Sequence, residues 1–338
     1  MADFARKLIR WQRRSGRHGL PWQGTRDPYR VWLAEVMLQQ TQVAAVIPYY
    51  ERFLARYPDV NALAAASEDD VLRLWSGLGY YARGRNLHAA ARIIASQGFP
   101  VTLEEILALP GVGRSTAAAI AVFAFGRREA ILDGNVKRVL ARCFGVEGEK
   151  DQWALAQDLL PERGLPAYTQ ALMDLGATLC TRARPACARC PVAVDCVALR
   201  EGRVAELPAP RRRKPLPLKR ATWVVLEHQG RVLLERRPSR GLWGGLWVFP
   251  DGPSRDLKTY CRKEFSANIR GARKMPVIEH GFTHFRLDIQ PILCSVRRRL
   301  AGKETGERLW LDLADAAGAA VPAPVRTLLS ALLRDQAM

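Results

Sequence analysis

Long apolar runs are scarce in this chain of 338 residues. The longest, residues 117–125, is closed by Gly126-Arg127-Arg128 and is too short to cross a bilayer. The arginine-rich residues 1–17 lack the apolar core of a secretion signal. We therefore expect an intracellular, cytoplasmic protein with no membrane segment.

Acidic residues are also in short supply. The chain has 33 Asp and Glu residues against 52 Lys and Arg residues, which gives a formal net charge of +19. A surplus of this size indicates a polyanionic partner, most simply a nucleic acid. Ribosome-associated and membrane-surface proteins can be equally basic, so the charge indicates a class of partner and no chemistry.

The seven cysteines do not form the even set that is typical of a disulfide framework. Four of them lie close together in the pattern C-x6-C-x2-C-x5-C, at Cys180, Cys187, Cys190 and Cys196. Four thiolates in so short a loop predict a metal centre. The spacing alone suggests zinc first, although structural zinc sites usually show two Cys-x-x-Cys pairs and this loop has one. Arg184 is one of the loop's arginines and is predicted to contact DNA.

Residues 109–116 read Leu-Pro-Gly-Val-Gly-Arg-Ser-Thr and precede an apolar helix. Gly111 and Gly113 allow a sharp turn that brings backbone N–H groups against another surface, and Ser115 lies at a helix start that favours an anion. The pattern predicts a grip on a DNA phosphate.

Asp133 follows one helix later and immediately precedes another amphipathic helix. Its position fits the N-cap of that helix. It also fits a carboxylate held beside bound nucleic acid, where it could act on a sugar. The two interpretations are compatible.

Glu35 is unusual because its helical neighbours include Val31, Trp32 and Leu38. Burial among apolar groups favours the protonated carboxyl group, which makes Glu35 a candidate general acid. The alternative is a partly exposed residue on a helix edge, or one hydrogen-bonded to the backbone. The polar residues 39–42, which include Gln40, favour the functional reading because uncharged amides can contact bases or fill a gap in a base stack.

Residues 77–86 combine glycines with paired tyrosines and two arginines. Tyr80 could stack on a base and Arg83 could bind a phosphate. The alternative is a buried tyrosine in a turn between helices.

The composition changes at residues 203–220, which are basic and rich in proline and predict an extended linker. Beyond it the pattern predicts a β-hairpin over residues 222–235, a second β pair around residues 279–289, and helices near 257–265 and 324–333. We therefore expect a mainly helical domain over residues 1–202 and a small α+β domain over residues 221–338.

Taken together and in order, these motifs resemble the MutY family of adenine DNA glycosylases. The resemblance runs from about Leu8 to Leu333. It implies a helix-hairpin-helix glycosylase domain of the endonuclease III superfamily, followed by a Nudix-like domain that recognises 8-oxoguanine. The implied partner is double-stranded DNA with adenine opposite 8-oxoguanine or guanine, bound by a monomeric, nucleoid-associated enzyme.

The resemblance also assigns roles to individual residues. Glu35 matches the acid that protonates adenine at N7, and Asp133 matches the carboxylate that stabilises the oxocarbenium sugar. Asn135 and Ser115 match supporting catalytic positions, whereas Gln40 and Tyr80 match residues that enter the base stack. The four cysteines match the ligands of a [4Fe-4S] cluster, which replaces the first expectation of zinc.

Ser115 distinguishes this chain from relatives that also cut the DNA strand. Those relatives carry a lysine at this position, where it forms a Schiff base with the sugar. We therefore expect a monofunctional glycosylase. The alternatives are a glycosylase and lyase for oxidised pyrimidines, which Ser115 disfavours, and an iron–sulfur lesion sensor without activity, which the pairing of Glu35 with Asp133 disfavours.

The Nudix-like domain is expected to read the lesion without hydrolysing nucleotides. Residues 251–270 lack the Arg-Glu-x-x-Glu-Glu pattern that binds Mg²⁺ in a Nudix hydrolase. Phe282, Thr283 and His284 lie where most family members have Phe-Ser-His, and they are the expected lesion contacts. The alternative is that they are ordinary hairpin residues.

Overall fold

A computed structural model describes residues 2–209, 215–299 and 307–337. The chain forms two compact units. The first comprises Met1–Ala65 and Asn86–Arg212, and the second comprises Ala66–Arg85 and Arg213–Met338. The second unit therefore includes a short segment from the amino-terminal half of the sequence.

The amino-terminal two thirds of the chain are helical, as predicted. The helices are α1 (Ala2–Ser15), α2 (Pro28–Leu38), α3 (Val43–Arg56), α4 (Val60–Ala65), α5 (Glu68–Trp75), α6 (Ala82–Gln97), α7 (Leu103–Leu107), α8 (Arg114–Phe125), α9 (Gly134–Phe144), α10 (Glu149–Asp158), α11 (Leu165–Asp174) and α12 (Val197–Arg200). A π-helical turn, Leu175–Leu179, directly follows α11.

Local sequence signals explain where α2 begins, and an apolar run explains why α8 is buried. Asp27 caps α2 by accepting a hydrogen bond from Tyr29 N, and Pro28 supplies a preset φ at the first helical position. Helix α8 is buried along Ala117–Val122 in its middle, which anchors it in the core of the first unit.

Helix α2 ends at Leu38 and α3 begins at Val43, so the polar residues 39–42 lie between two helices. Gln40 has φ of 56° and lies in the left-handed region, so the chain turns there and leaves the Gln40 side chain exposed.

The second unit contains one mixed sheet with helices against it, as the α+β prediction requires. Its elements are β1 (Leu218–His228), β2 (Arg231–Arg236), β3 (Trp247–Val248), α13 (Leu257–Phe265), β4 (Ala267–Lys274), β5 (Ile278–Gly281), β6 (Arg286–Arg299), β7 (Arg308–Asp312), α14 (Leu313–Gly318) and α15 (Ala323–Ala337). The strand order is β3-β2-β1-β6-β4, with β5 paired to β6 and β7 paired to β2.

Both predicted β pairs are present. Strands β1 and β2 are antiparallel and meet at a turn in which Gln229 and Gly230 both have positive φ, the geometry of a tight hairpin. Strands β5 and β6 form the second antiparallel pair. The long parallel pairing of β1 with β6 joins the two hairpins into one sheet.

The expected linker lies only partly within the described residues. Residues 210–214, its most basic part, lie outside them, and β1 already begins at Leu218. The domain boundaries at residues 202 and 221 stay a prediction. No helix in the described ranges is long and apolar enough to cross a membrane.

Candidate active site and cysteine cluster

Glu35 lies on α2 and lines a cavity of about 380 Å³ within the first unit. The side chain is half-buried because it opens into this cavity while protein atoms surround it elsewhere. Trp22 and Phe123 contribute aromatic surface to the cavity, and Gln23 and Gln170 contribute amides. A flat ring with polar edges would meet both kinds of surface there.

The position of Glu35 changes its protonation. Burial raises the pKa of the Glu35 carboxyl group to about 7, and the negative charge of Asp133 acts in the same direction. A large share of this group therefore carries a proton near neutral pH, as a general acid must.

Asp133 is the N-cap of α9, so the structural reading of this residue is confirmed. Val136 N donates a hydrogen bond to Asp133 Oδ1 over 2.7 Å. This cap fixes the carboxylate at the positive end of the helix. The influence of its charge on Glu35 shows that the two carboxyl groups share one electrostatic environment.

Ser115 and Asn135 both hold neighbouring backbone in place. Leu132 N donates a hydrogen bond to Ser115 Oγ over 3.1 Å, which ties the start of α8 to the residue before Asp133. Arg138 Nη2 donates to Asn135 Oδ1 over 2.9 Å and to Gly176 O over 2.5 Å. Both predicted supporting residues therefore lie next to the backbone that presents Asp133.

Gly111 and Gly113 lie in the turn of the helix hairpin formed by α7 and α8, and they differ in backbone conformation and surroundings. Gly111 has φ of 77°, and a Cβ there would lie 2.7 Å from Asn86 Cβ. Gly113 has an ordinary φ of −94° and caps α8, and a Cβ there would meet no atom within 4 Å. The expectation that both glycines make the sharp turn holds only for Gly111, whereas Gly113 leaves an open surface at the start of α8. Gln39 Nε2 donates to Gly111 O over 3.1 Å and ties the end of α2 to this hairpin.

The four predicted cysteine ligands line one small, almost wholly apolar cavity. In the part of the chain that the structure describes, no three metal-binding side chains converge on a point that would hold a single metal ion. The four thiols lie in one short loop, and the [4Fe-4S] cluster that the resemblance implies stays a prediction.

Arg142 on α9 holds the backbone of the cysteine loop. Its side chain is 3% exposed, and Nε donates to Leu207 O over 2.8 Å. Its other nitrogens donate to Thr181 O over 2.7 Å and to Arg182 O over 3.1 Å, and Nη1 lies 3.5 Å from Cys180 Sγ. Arg184, the predicted DNA contact in this loop, is exposed.

Tyr80 and Arg83 belong to the second unit. Tyr80 is 45% exposed and has φ of 48°, so it projects from a tight turn. Arg83 is buried, donates to Gly79 O over 3.3 Å, and packs against the rings of Trp75 and Tyr80. In this position the guanidinium supports the Tyr80 loop, and the phosphate contact of Arg83 stays a prediction.

The predicted lesion contacts follow β5 in the second unit. Phe282 stacks on Phe285 with ring centroids 4.5 Å apart and also contacts Trp243. Thr283 and His284 are exposed, and Thr283 Oγ1 lies 3.3 Å from His284 Nδ1. The hairpin therefore presents two polar side chains on an aromatic base.

Sequence reasoning missed the wall of the Glu35 cavity that the α1–α2 loop provides. This loop is anchored by Arg17, whose Nε donates over 2.6 Å to Asp174 Oδ1, and Asp174 is fully buried on α11. The loop then brings His18 and Trp22 to the cavity. The sequence signal was an aspartate, Asp174, at the end of a mostly apolar helix.

Two family models match different parts of the chain. The chain matches the family model of HhH-GPD superfamily base excision DNA repair proteins over residues 33–161, and the NUDIX domain model over residues 221–331. Among solved structures, a thermostable thymine-DNA glycosylase aligns with a TM-score of 0.55 and 28% identity, over 59% of this chain and 96% of that one. A non-covalent endonuclease III–DNA complex aligns with a TM-score of 0.52 and 20% identity over 59% and 95% of the chains, which supports the fold alone.

Curated relatives extend the match to nearly the whole chain. The adenine DNA glycosylase of Buchnera aphidicola from Acyrthosiphon pisum is 34% identical over 96% of this chain and 96% of its own length. The adenine DNA glycosylase of Mus musculus is 33% identical over 94% of this chain and 75% of its own. With its helix-hairpin-helix and Nudix domains, this chain belongs to the adenine DNA glycosylase family, whose members hydrolyse N-glycosyl bonds in DNA repair.

Proposed function

We propose that this protein removes adenine paired with 8-oxoguanine or guanine in double-stranded DNA by hydrolysing the N-glycosidic bond. The observation that carries the proposal is Glu35, a carboxyl group with a pKa of about 7 in a cavity lined by aromatic and amide groups, close to the charge of Asp133. A base inside a duplex cannot reach such a cavity, so the adenine must first be extruded from the stack.

Glu35 acts as the acid in this proposal. It donates its proton to N7 of adenine, so that the electrons of the C1′–N9 bond leave with a neutral base. A positive charge then develops on the sugar. Glu35 is left as a carboxylate and can accept the proton of the attacking water.

Asp133 stabilises that sugar cation. Its Oδ1 is committed to Val136 N, which leaves Oδ2 for the sugar. The same helix cap that stabilises the fold therefore holds the carboxylate still while charge develops, and this is electrostatic preorganisation. Asn135 and Ser115 support this arrangement through their backbone and arginine contacts.

We assign DNA binding to the surfaces built around the helix hairpin. The open space beside Gly113, at the start of α8, would admit a phosphate, while Gly111 makes the turn. Gln40 and Tyr80 both lie exposed at positive φ, and we assign them to the base stack. Arg184 adds a cation from the cysteine loop.

The cysteine loop suits a [4Fe-4S] cluster held by Cys180, Cys187, Cys190 and Cys196. The cluster would hold the short segments between its ligands in one conformation, which the small apolar interior of this loop cannot do alone. Arg142 and Arg138 join this loop to α9, the helix that Asp133 caps. The active site and the metal centre thus share one helix.

The carboxy-terminal domain is proposed to read the lesion. Phe282 provides an aromatic base under the exposed Thr283 and His284, which can contact 8-oxoguanine. Helix α13 carries Glu264 as its single acidic residue, and Asp251 is paired with Arg237 over 2.7 Å. This acid set does not supply the clustered glutamates of a Nudix hydrolase.

A single-turnover assay tests the proposal against the glycosylase and lyase alternative. A duplex with adenine opposite 8-oxoguanine is incubated beside one that contains an oxidised pyrimidine. We expect adenine release from the first duplex, with strand cleavage only after alkali. Rapid cleavage without alkali, together with an adduct trapped by borohydride, would show a Schiff-base mechanism and contradict the monofunctional assignment.

A further inference from the structure

The second unit holds two of the three predicted contacts on the 8-oxoguanine side of the pair, whereas the third, Gln40, lies in the first unit. Tyr80 lies on the short segment Ala66–Arg85, and Thr283 and His284 lie on the β5–β6 hairpin. These positions are about 200 residues apart in sequence, yet they belong to one compact unit. What joins them is a turn at residues 241–246, which we call the Gly-Trp turn.

The segment Ala66–Arg85 packs on one side of the Gly-Trp turn. Leu72 on α5 is fully buried in the same apolar cluster as Trp223 and Trp247, and Trp247 Nε1 donates to Asp69 Oδ1 over 2.9 Å. Arg85 donates to Gly244 O. These contacts place α5 and the residues after its loop directly on the turn.

Gly245 marks the closest approach. It has φ of 78°, and a Cβ there would lie 3.2 Å from both Glu68 Oε1 and Leu72 Cδ1. A Cβ there would force the ends of the Glu68 and Leu72 side chains to shift by a few tenths of an ångström and so would loosen the packing of α5 on the turn. The glycine therefore serves the packing of the segment as well as the conformation of the turn.

The lesion hairpin packs on the other side of the Gly-Trp turn. Trp243 contacts the ring of Phe282 at 5.8 Å and that of His280 at 5.9 Å. Trp243 is 7% exposed, so these contacts are inside the protein. The turn thus touches the base of the hairpin through Trp243 and the Tyr80 segment through Gly244 and Gly245.

A second contact fixes the start of the loop that carries Tyr80. Ser76 is 8% exposed and donates to Val321 O over 2.7 Å, while Arg326 Nη2 donates to Ser76 Oγ over 2.6 Å. Tyr81 OH also reaches Val321 O, at 3.4 Å. The segment before α15 therefore holds both ends of the tight turn at residues 77–80.

We propose that Gly245, Ser76 and Arg326 are positioning residues that hold the Tyr80 loop and the Phe282–His284 hairpin in a fixed mutual arrangement, so that the two contact 8-oxoguanine as one reader. This rests on the roles proposed above for Tyr80 and the hairpin. Two contacts held in one arrangement recognise a base together with less loss of conformational entropy than two independent loops.

The experiment compares two glycine variants that carry the same kind of backbone strain. Gly245→Ala places a Cβ against α5, whereas Gly241→Ala, at φ of 98°, places its Cβ in open space. Amide hydrogen exchange is measured on the DNA-free protein. We expect faster exchange over residues 77–81 in the Gly245 variant and wild-type exchange there in the Gly241 variant. Equal exchange in the two variants would overturn the proposal.

Ser76→Ala and Arg326→Met extend the test without adding a Cβ. Each should speed exchange over residues 77–81 and lower the preference for 8-oxoguanine over guanine opposite adenine by roughly 5-fold or more. An unchanged preference despite faster exchange would also overturn the proposal. If the wild-type protein releases no adenine from either duplex, the proposed function fails, while the exchange result still decides whether the loop is held in this way.

Discussion

The surroundings of Glu35 favour the protonated form of its carboxyl group, which the proposed acid catalysis requires. Its helix contributes apolar neighbours, its cavity contributes limited access to solvent, and Asp133 contributes a negative charge. All three disfavour ionisation of Glu35. The apolar neighbours are visible in the sequence, whereas the cavity and the proximity of Asp133 depend on the tertiary fold.

The raised pKa of Glu35 predicts a pH-dependent cost in stability. The pKa of this group is about 7 in the folded protein against an ordinary value of 4.5, so the folded state binds more protons between these values and wild-type stability falls as pH rises through this window. Glu35→Gln removes the titrating group. We expect the variant to gain stability relative to wild type from about pH 4.5 to pH 7, by at most about 3 kcal/mol.

Chemical denaturation at a series of pH values measures this difference. A constant difference between wild type and the Glu35 variant across the whole series would contradict the raised pKa.

Asp133 has two roles that substitution can separate. Asparagine caps a helix about as well as aspartate but carries no charge, whereas alanine does neither. We expect Asp133→Asn to leave the free energy of unfolding nearly unchanged and Asp133→Ala to lower it by about 1 kcal/mol. Both variants should lose adenine release in single-turnover assays. Substantial turnover in the asparagine variant would show that the negative charge is not required.

At the scale of elements, the helix hairpin offers another matched pair. Gly111→Ala introduces a Cβ at positive φ and 2.7 Å from Asn86, so it should destabilise the fold by about 1 kcal/mol or more. Gly113→Ala meets open space at an ordinary φ, so its cost should be limited to the weaker capping of α8 by alanine, about 0.5 kcal/mol. If a phosphate approaches there, duplex binding should weaken in the Gly113 variant, as a fluorescence-anisotropy titration would show. Wild-type affinity would remove Gly113 from the DNA contact.

Local signals in the sequence predict much of the element order. Asp27 before Pro28 begins α2, Asp133 begins α9, and the Gln229–Gly230 turn joins β1 to β2. Each signal works within a few residues, so no knowledge of the fold is needed. The missed strands β4 and β7 lack such signals: β4 is largely exposed and rich in arginine.

The candidate site likewise contains some residues that the sequence predicts and others that only the fold reveals. Glu35 stands out because a carboxyl group among apolar neighbours is unusual, whereas an aspartate at a helix start is common, so the role of Asp133 is predicted from the motifs around it. The burial of Arg83 could not be predicted, because it depends on packing against Trp75 and on the bond to Gly79 O. The cavity wall formed by His18 and Trp22 depends on the distant ion pair of Arg17 with Asp174. Contacts between residues that are far apart in the sequence determine the cavity wall, and contacts outside the local pattern determine the burial of Arg83. A local sequence pattern does not reveal either.

At the scale of the whole molecule, the surplus of positive charge and the two-unit organisation serve one task. A net charge of +19 favours association with DNA of any sequence, so selectivity must come from specific contacts. The first unit contains Glu35, Asp133 and the cysteine loop, and the second contains the proposed lesion reader. Excision and recognition are thus assigned to different parts of one chain.

The most direct test of this account is the single-turnover rate constant for adenine release from a duplex with adenine opposite 8-oxoguanine, measured from about pH 5 to pH 9. Because Glu35 must carry a proton, the wild-type rate constant should fall as pH rises above about 7, approaching a tenfold loss per pH unit. Glu35→Gln should bind the duplex and release no adenine at any pH. Near-normal release by this variant, or a wild-type rate constant that keeps rising above pH 7, would contradict the role of Glu35 as the acid.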